Sequence, residues 1–294
     1  MAAFEDLYFS ASDGLRLHAL AAGPRDRARL PAVCLPGLAR TAEDFRELMQ
    51  ALAYDPAAPR RVLAVSSRGR GKSARDPNPA NYSVPVELGD VLAVLAASGI
   101  ERAIFVGTSR GGILTMTLSA ARPGAIAGAV LNDIGPVLDM TGLLRIKGYV
   151  GKLPKPTSMA DAVVVMRRAM SAQFPALDAE EWRLYARRTF VETADGVEAN
   201  YDPRISESIK NIDPSSAPPE LWPQFDGLKA ARIMLIRGEH SDLLSTATVE
   251  AMRARRPDLE FYEVRGQGHA PLLADMATIV RIREFASRCD AAAR

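Results

Sequence analysis

The amino-acid sequence predicts an α/β fold around a mostly parallel sheet, and three observations predict it. Short runs such as Ile104 to Val106, Ile126 to Leu131 and Ile233 to Ile236 are apolar on both faces, as in strands covered by helices on each side. Each is followed by a loop and then a longer amphipathic pattern, so strand and helix alternate along most of the chain. The strand ends carry glycine, proline and aspartate loops, and in such sheets reactive groups gather at the carboxyl ends of the strands.

The elements follow in order. Residues 4 to 10 and 15 to 22 alternate about Ser12-Asp13-Gly14, a hairpin turn signal. Leu30 to Leu35 reads as a buried strand, followed by Pro36-Gly37-Leu38 and a helix from Thr41 to Ala53, with Thr41 as its cap. Arg61 to Val65 is the next strand. Its exit loop, Ser66 to Ser73, imitates a phosphate-binding loop at Gly71-Lys72-Ser73, but Ser66 stands where that motif needs glycine and no helix begins at Ser73. The basic residues of this loop read as a solvated surface. A helix from Val86 to Ser98 ends at Gly99.

Residues 137 to 226 interrupt the alternation with three helical patterns, at 139 to 150, 158 to 172 and 178 to 191, and a proline-rich stretch. An all-helical insertion of this length reads as a cap, so the expected organisation is a core of residues 1–136 plus 227–294 and a cap of 137–226. Strands at Ala231 to Ile236 and Leu259 to Val264 and a closing helix from Asp275 to Cys289 complete the chain.

Composition excludes several classes of function. With 37 basic and 35 acidic side chains the formal net charge is +2, so no long-range field points to nucleic acid or an anionic membrane. The two cysteines, Cys34 and Cys289, are too few for a disulfide framework and suit a reducing compartment. No basic leader and no long apolar run is present, so a cytoplasmic protein without membrane contact is expected. Three scattered histidines, with neither paired cysteines nor H-E-x-x-H, leave no expected metal site, and no cofactor is expected.

The chemistry centres on Ala103-Ile-Phe-Val-Gly-Thr-Ser-Arg-Gly-Gly112, a strand turning sharply into a helix with Ser109 at the apex. Gly107 and Gly111 let strand and helix approach, and the Arg110 N–H lies where a helix N-terminus favours negative charge. A serine nucleophile needs a base, and the base needs an acid to fix its tautomer. His269, in a glycine-flanked loop after the last strand, is the expected base; His18 reads as a partly exposed strand residue and His240 as a rim group. Two loops offer the acid. Asp242 is expected, because it follows the penultimate strand and gives the chain order Ser, Asp, His. Asp133 is expected to be structural, for instance as a partner of Arg110.

With Pro36-Gly37-Leu38, Arg68-Gly69-x-Gly71-x-Ser73, Gly107-Thr-Ser-Arg-Gly111, Arg237-Gly-x-x-Ser-Asp242 and Gly268-His269 in this order, the chain resembles the α/β-hydrolases over nearly its whole length. The resemblance implies an eight-stranded, mostly parallel sheet, a helical lid, and the backbone N–H groups of Leu38 and Arg110 as the oxyanion hole. It departs from the family in having Pro36 where histidine is usual, Ser66 where aspartate is common, and Arg110 beside the nucleophile. The function expected is hydrolysis of carboxylic esters with small to medium acyl chains, of roughly two to eight carbons, through an acyl-enzyme. Cleavage of a carbon-carbon bond in a vinylogous diketone, lactone opening, and a non-catalytic receptor are the alternatives.

Overall fold

The structure is a computed structural model that describes residues 4–25 and 28–292. In chain order it comprises β1 (Glu5–Ser10), β2 (Arg16–Ala22), β3 (Ala32–Leu35), α1 (Arg46–Ala53), β4 (Val62–Ser66), α2 (Val84–Ala97), β5 (Ala103–Thr108), α3 (Arg110–Ala121), β6 (Ile126–Asn132) and α4 (Met140–Tyr149). These are followed by α5 (Met159–Met170), α6 (Ala179–Thr189), β7 (Phe190–Thr193), β8 (Gly196–Ala199), α7 (Trp222–Asp226), β9 (Arg232–Gly238), α8 (Thr246–Arg255), β10 (Glu260–Val264) and α9 (Met276–Ala292).

Eight strands form one sheet in the order β1-β2-β4-β3-β5-β6-β9-β10. Only β2 runs against the others, pairing antiparallel with both β1 and β4. The central strands β3, β4 and β6 are buried along their whole length, and β5 as far as Gly107. They read as unbroken apolar runs because helices cover both faces: α1 and α9 pack on one, and α2, α3 and α8 on the other. Edge strand β1 alternates partly buried and exposed residues, since only one of its faces is covered.

The helix after β3 opens as a single 3-10 turn, Ala42–Phe45, capped by Thr41, before α1 begins. The loop after β4 departs from the solvated surface expected of it. Arg68 and Arg70 are both buried, Arg68 among the carboxylates of Asp13, Asp76 and Asp90, and only Lys72 and Arg75 face solvent. Their charges are masked by acids distant in the sequence, so a local count of basic residues could not place them.

Between β6 and β9 the chain leaves the sheet. Helices α4, α5 and α6 are present at the expected positions, but the segment is not all-helical: β7 and β8 form a hairpin. Thr193 and Gly196 flank its turn, and Gly196 takes φ 109°, a conformation that favours glycine. Phe190 and Val197 from the hairpin join Met166, Met170, Phe174, Trp182 and Tyr185 in a separate small core. The segment is tied to the sheet by backbone bonds to the β4 loop, from Gly71 N–H to the Asn200 carbonyl (2.9 Å) and from Asp202 N–H to the Gly69 carbonyl (2.7 Å).

The tightest packing lies at the turn from β5 to α3. A Cβ added to Gly111 would sit 1.9 Å from the Leu35 carbonyl oxygen, and one on Gly107 would sit 2.5 Å from the Gly111 carbonyl oxygen. Gly111→Ala is therefore expected to cost about 3 kcal/mol or more in urea unfolding followed by circular dichroism. Gly89→Ala, in α2 with open space around its α-carbon, should be neutral or gain roughly 0.5–1 kcal/mol.

Candidate active site

Ser109 stands between β5 and α3 with φ 50° and ψ −111°, an unusual backbone conformation for a residue with a Cβ. It is held there by hydrogen bonds from Ser109 N–H to the Asn132 carbonyl (3.0 Å) and from the Gly112 N–H to the Ser109 carbonyl (2.9 Å). The strain lifts the hydroxyl off the sheet toward the loop after β10. There His269 Nε2 lies 2.8 Å from Ser109 Oγ, and His269 Nδ1 lies 2.8 Å from Asp133 Oδ2. Because a carboxylate only accepts, Nδ1 carries the ring proton and Nε2 is left to accept from the serine hydroxyl.

The carboxylate that meets His269 is Asp133, not the expected Asp242. Asp133 directly follows β6, the neighbour of the β5 strand that carries Ser109, and is completely buried. Its Oδ1 accepts from Gly238 N–H at 2.7 Å and its Oδ2 from the Ser241 hydroxyl at 2.5 Å, so β9 and its exit loop fix the carboxylate. A φ of 55° turns the residue into the site, a conformation aspartate tolerates better than most side chains.

Asp242 lies at the far side of the same loop and turns toward the inserted segment. There it takes a bidentate pair from Arg145, at 2.5 and 2.7 Å. It also accepts from Gln173 Nε2 at 3.2 Å, and Gln173 Oε1 in turn accepts from the His269 backbone N–H at 2.7 Å. Asp242 thus reaches the histidine loop through one intermediary and never touches the ring. Gln173 was not legible as part of the site; the only sequence signal was the glycine opposite it, since a Cβ on Gly268 would lie 2.1 Å from Gln173 Oε1.

The other histidines lie apart from this chain. His18 is buried rather than partly exposed, with Nε2 2.8 Å from Asp6 Oδ1, and His240 is exposed beside Glu239.

Leu38 lies in a turn closed by the Arg40 N–H to the Gly37 carbonyl (3.1 Å), and a Cβ on Gly37 would be 3.8 Å from that of Ser109. Leu38 and Arg110 both line the cavity at Ser109, and the Arg110 amide, the first of α3, has no acceptor within its helix. The Arg110 side chain pairs with Glu87, at 2.7 Å, and not with Asp133. Burial pushes the Glu87 carboxyl up, but Arg70 and Arg110 together hold it below its ordinary value.

Over Ser109 lies a cavity of about 140 Å³, with Ile113, Ile134, Leu143, Ile146, Met166, Met170 and Leu243 among its apolar walls. Leu143, Ile146, Met166 and Met170 come from the inserted segment. The charged residues that reach the cavity are paired: Arg40 with Asp44, Arg188 with Glu47, and Arg110 with Glu87. A hydroxyl, imidazole and carboxylate in this arrangement can move a proton off the hydroxyl as it attacks a carbonyl.

Residues 32–282 match the alpha/beta hydrolase family. The chain belongs to that family. It is 31% identical to a 3-hydroxybutyrate-oligomer hydrolase from Cupriavidus necator over 86% of this chain and 87% of the relative. A crystal structure of an alpha/beta hydrolase from Novosphingobium aromaticivorans superposes with a TM-score of 0.89 at 40% identity, covering 98% of this chain and 99% of that one. Epoxide hydrolase B from Mycobacterium tuberculosis is 33% identical over 40% of this chain and 32% of its own. With family and relatives in agreement, the chain is a hydrolase. Among the described residues, no helix is long and apolar enough to cross a membrane.

Asp133→Asn is expected to lower kcat by on the order of 10³- to 10⁴-fold, because an amide favours the wrong imidazole tautomer. Asp242→Asn should cost roughly tenfold or less, through the Gln173 link alone. Steady-state hydrolysis by the two purified variants decides between them, and equal losses would return Asp242 to the site.

Proposed function

We propose that this hydrolase cleaves carboxylic esters of short acids through an acyl-enzyme on Ser109. The observation that carries the reading is the continuous hydrogen-bonded chain from Ser109 through His269 to Asp133, at 2.8 Å per link, on the floor of a roofed apolar cavity. His269 takes the Ser109 proton as the hydroxyl attacks the ester carbonyl, and Asp133 holds the imidazolium that forms. The Leu38 and Arg110 amides receive the oxyanion, collapse expels the alcohol with the proton from His269, and His269 then activates water to release the acid. A serine at position 109 argues against the epoxide and dehalogenase chemistries that begin with a carboxylate nucleophile. Carbon-carbon bond hydrolysis and lactone opening use the same residues, and the substrate panel below separates them.

The cavity favours small acyl groups. Its volume of about 140 Å³ is close to that of an engineered cavity that admits benzene, about six heavy atoms, so one short acyl unit fills it. A 3-hydroxybutyryl unit is of that size, and the C. necator relative is named for hydrolysis of oligomers of that acid. Short oligoesters of small hydroxy acids are therefore the preferred candidate substrates. The paired charges around the cavity suit a neutral ester linkage, and its methionines allow breadth among acyl shapes.

Turnover across soluble monoesters, 3-hydroxybutyrate oligomers, lactones and vinylogous diketones is the deciding experiment. Esters with acyl groups of up to about six heavy atoms and the hydroxybutyrate oligomers are expected to be best, at rates unaffected by micelle formation. Ser109→Ala should abolish labelling by a fluorophosphonate and lower turnover by several orders of magnitude, and His269→Ala should cost nearly as much, with the double variant little worse. A preference for long-chain triglycerides, or faster turnover of diketones than of esters, would overturn the reading.

A further inference from the structure

Arg70 is a buried cation that no step of the ester hydrolysis uses. Its side chain is 1% exposed, deep below the loop after β4. Nε donates to the carbonyl of Leu38 at 2.8 Å and Nη1 to the carbonyl of Arg68 at 2.6 Å. Nη1 also forms an ion pair with Glu87 Oε1 at 2.8 Å, and among the described residues neither Oε1 nor Nη2 has a hydrogen-bond partner. The other oxygen of Glu87 accepts from Arg110 Nε at 2.7 Å, and the Glu87 side chain is itself 1% exposed. The guanidinium of Arg70 also stacks 5.5 Å from the centre of the buried Tyr82 ring.

Leu38 and Arg110 are the two residues whose amides receive the oxyanion in the proposed mechanism. The Leu38 N–H shares its peptide plane with the Gly37 carbonyl, which accepts from the Arg40 N–H at 3.1 Å, and the Leu38 carbonyl belongs to the next plane, which Arg70 holds; with the planes on both sides of the Leu38 α-carbon tied, the turn that carries the Leu38 N–H is held. Burying an ion pair is costly unless hydrogen bonds compensate, and this one is only partly compensated, so its presence is poorly explained as a source of stability. What the arrangement does supply is geometry. One carboxylate, held by two guanidiniums, joins the oxyanion turn to the first turn of α3.

We infer that Arg70 and Glu87 are positioning residues of the oxyanion hole: Arg70 clamps the Leu38 turn through its carbonyl, and Glu87 ties Arg70 to Arg110. The inference rests on the ester-hydrolase reading. The two guanidiniums on one carboxylate also leave a net positive charge next to Leu38 and Arg110, where it favours the oxyanion over the neutral ester. Preorganised donors of this kind contribute in the transition state rather than in substrate binding, which gives the role a kinetic signature.

The paired variant Arg70→Met with Glu87→Gln removes both buried charges together, and Arg70→Lys keeps the cation while losing the planar fork that serves Leu38 and Glu87 at once. Each is compared with wild type, after thermal unfolding has established the folded fraction, for p-nitrophenyl acetate hydrolysis. Affinity is measured for a trifluoromethyl ketone, whose serine adduct carries an oxyanion, and for an unreactive amide of the same shape. The paired variant should lose about 10- to 100-fold in kcat with KM changed less than about threefold, and Arg70→Lys should fall between it and wild type. Ketone affinity should fall in parallel with kcat/KM while amide affinity stays constant. Folded variants with wild-type kcat, or an equal loss of ketone and amide affinity, would overturn the positioning role alone. Wild-type protein that does not form the ketone adduct would overturn the oxyanion-hole reading and this inference with it.

Discussion

The close approach of β5, α3 and β3 is the constraint on which the rest of the structure depends. Ser109 can keep a backbone conformation that few side chains adopt only because Gly107, Gly111 and Gly112 let strand, helix and the Leu35 carbonyl come within distances that any Cβ would block. The same approach brings the oxyanion turn after β3 beside the start of α3. Local strain, which costs free energy, is thus held by packing at the centre of the sheet, where the most neighbouring strands resist its relaxation.

From that fixed point the site is assembled out of groups that meet only in space. Ser109 follows β5, Asp133 follows β6, the donors to Asp133 lie at the end of β9 and in its exit loop, and His269 follows β10. Parallel strands bring these ends to one edge of the sheet, so each residue needs only the right loop to reach its partner. The inserted segment adds more than a roof. Through Gln173 it holds the backbone of His269, and through Arg145 it neutralises Asp242, so the segment that shapes the cavity also orients the base.

Buried arginines are the second theme. Arg60 pairs with Asp290, Arg68 with Asp76 and Asp90, and Arg70 with Glu87, each arginine 1% exposed or nearly so. Such pairs give little net stability against apolar replacements, but they penalise every arrangement in which the partners fail to meet. Here they join the closing helix to β4 and the loops after β4 to α2. The planar fork of arginine, able to bridge a carbonyl and a carboxylate at once, suits this use better than lysine.

The amino-acid sequence by itself determined the strand and helix alternation, the elbow at Ser109 and the histidine loop at His269, because each is encoded by short-range signals: doubly apolar runs, paired glycines around one serine, and a glycine-flanked histidine past a strand. Tertiary structure decided the rest. Asp133 and Asp242 both follow strands and look equivalent in one dimension; only the order of the sheet, with β6 beside β5, and the turn that carries Asp242 toward Arg145 separate them. The burial of Arg68 and Arg70, the partner of Arg110 and the reach of Gln173 were hidden for the same reason. A charge is placed by the opposite charge it meets, and in this chain those meetings join segments far apart in sequence, where no local pattern records the distance between them.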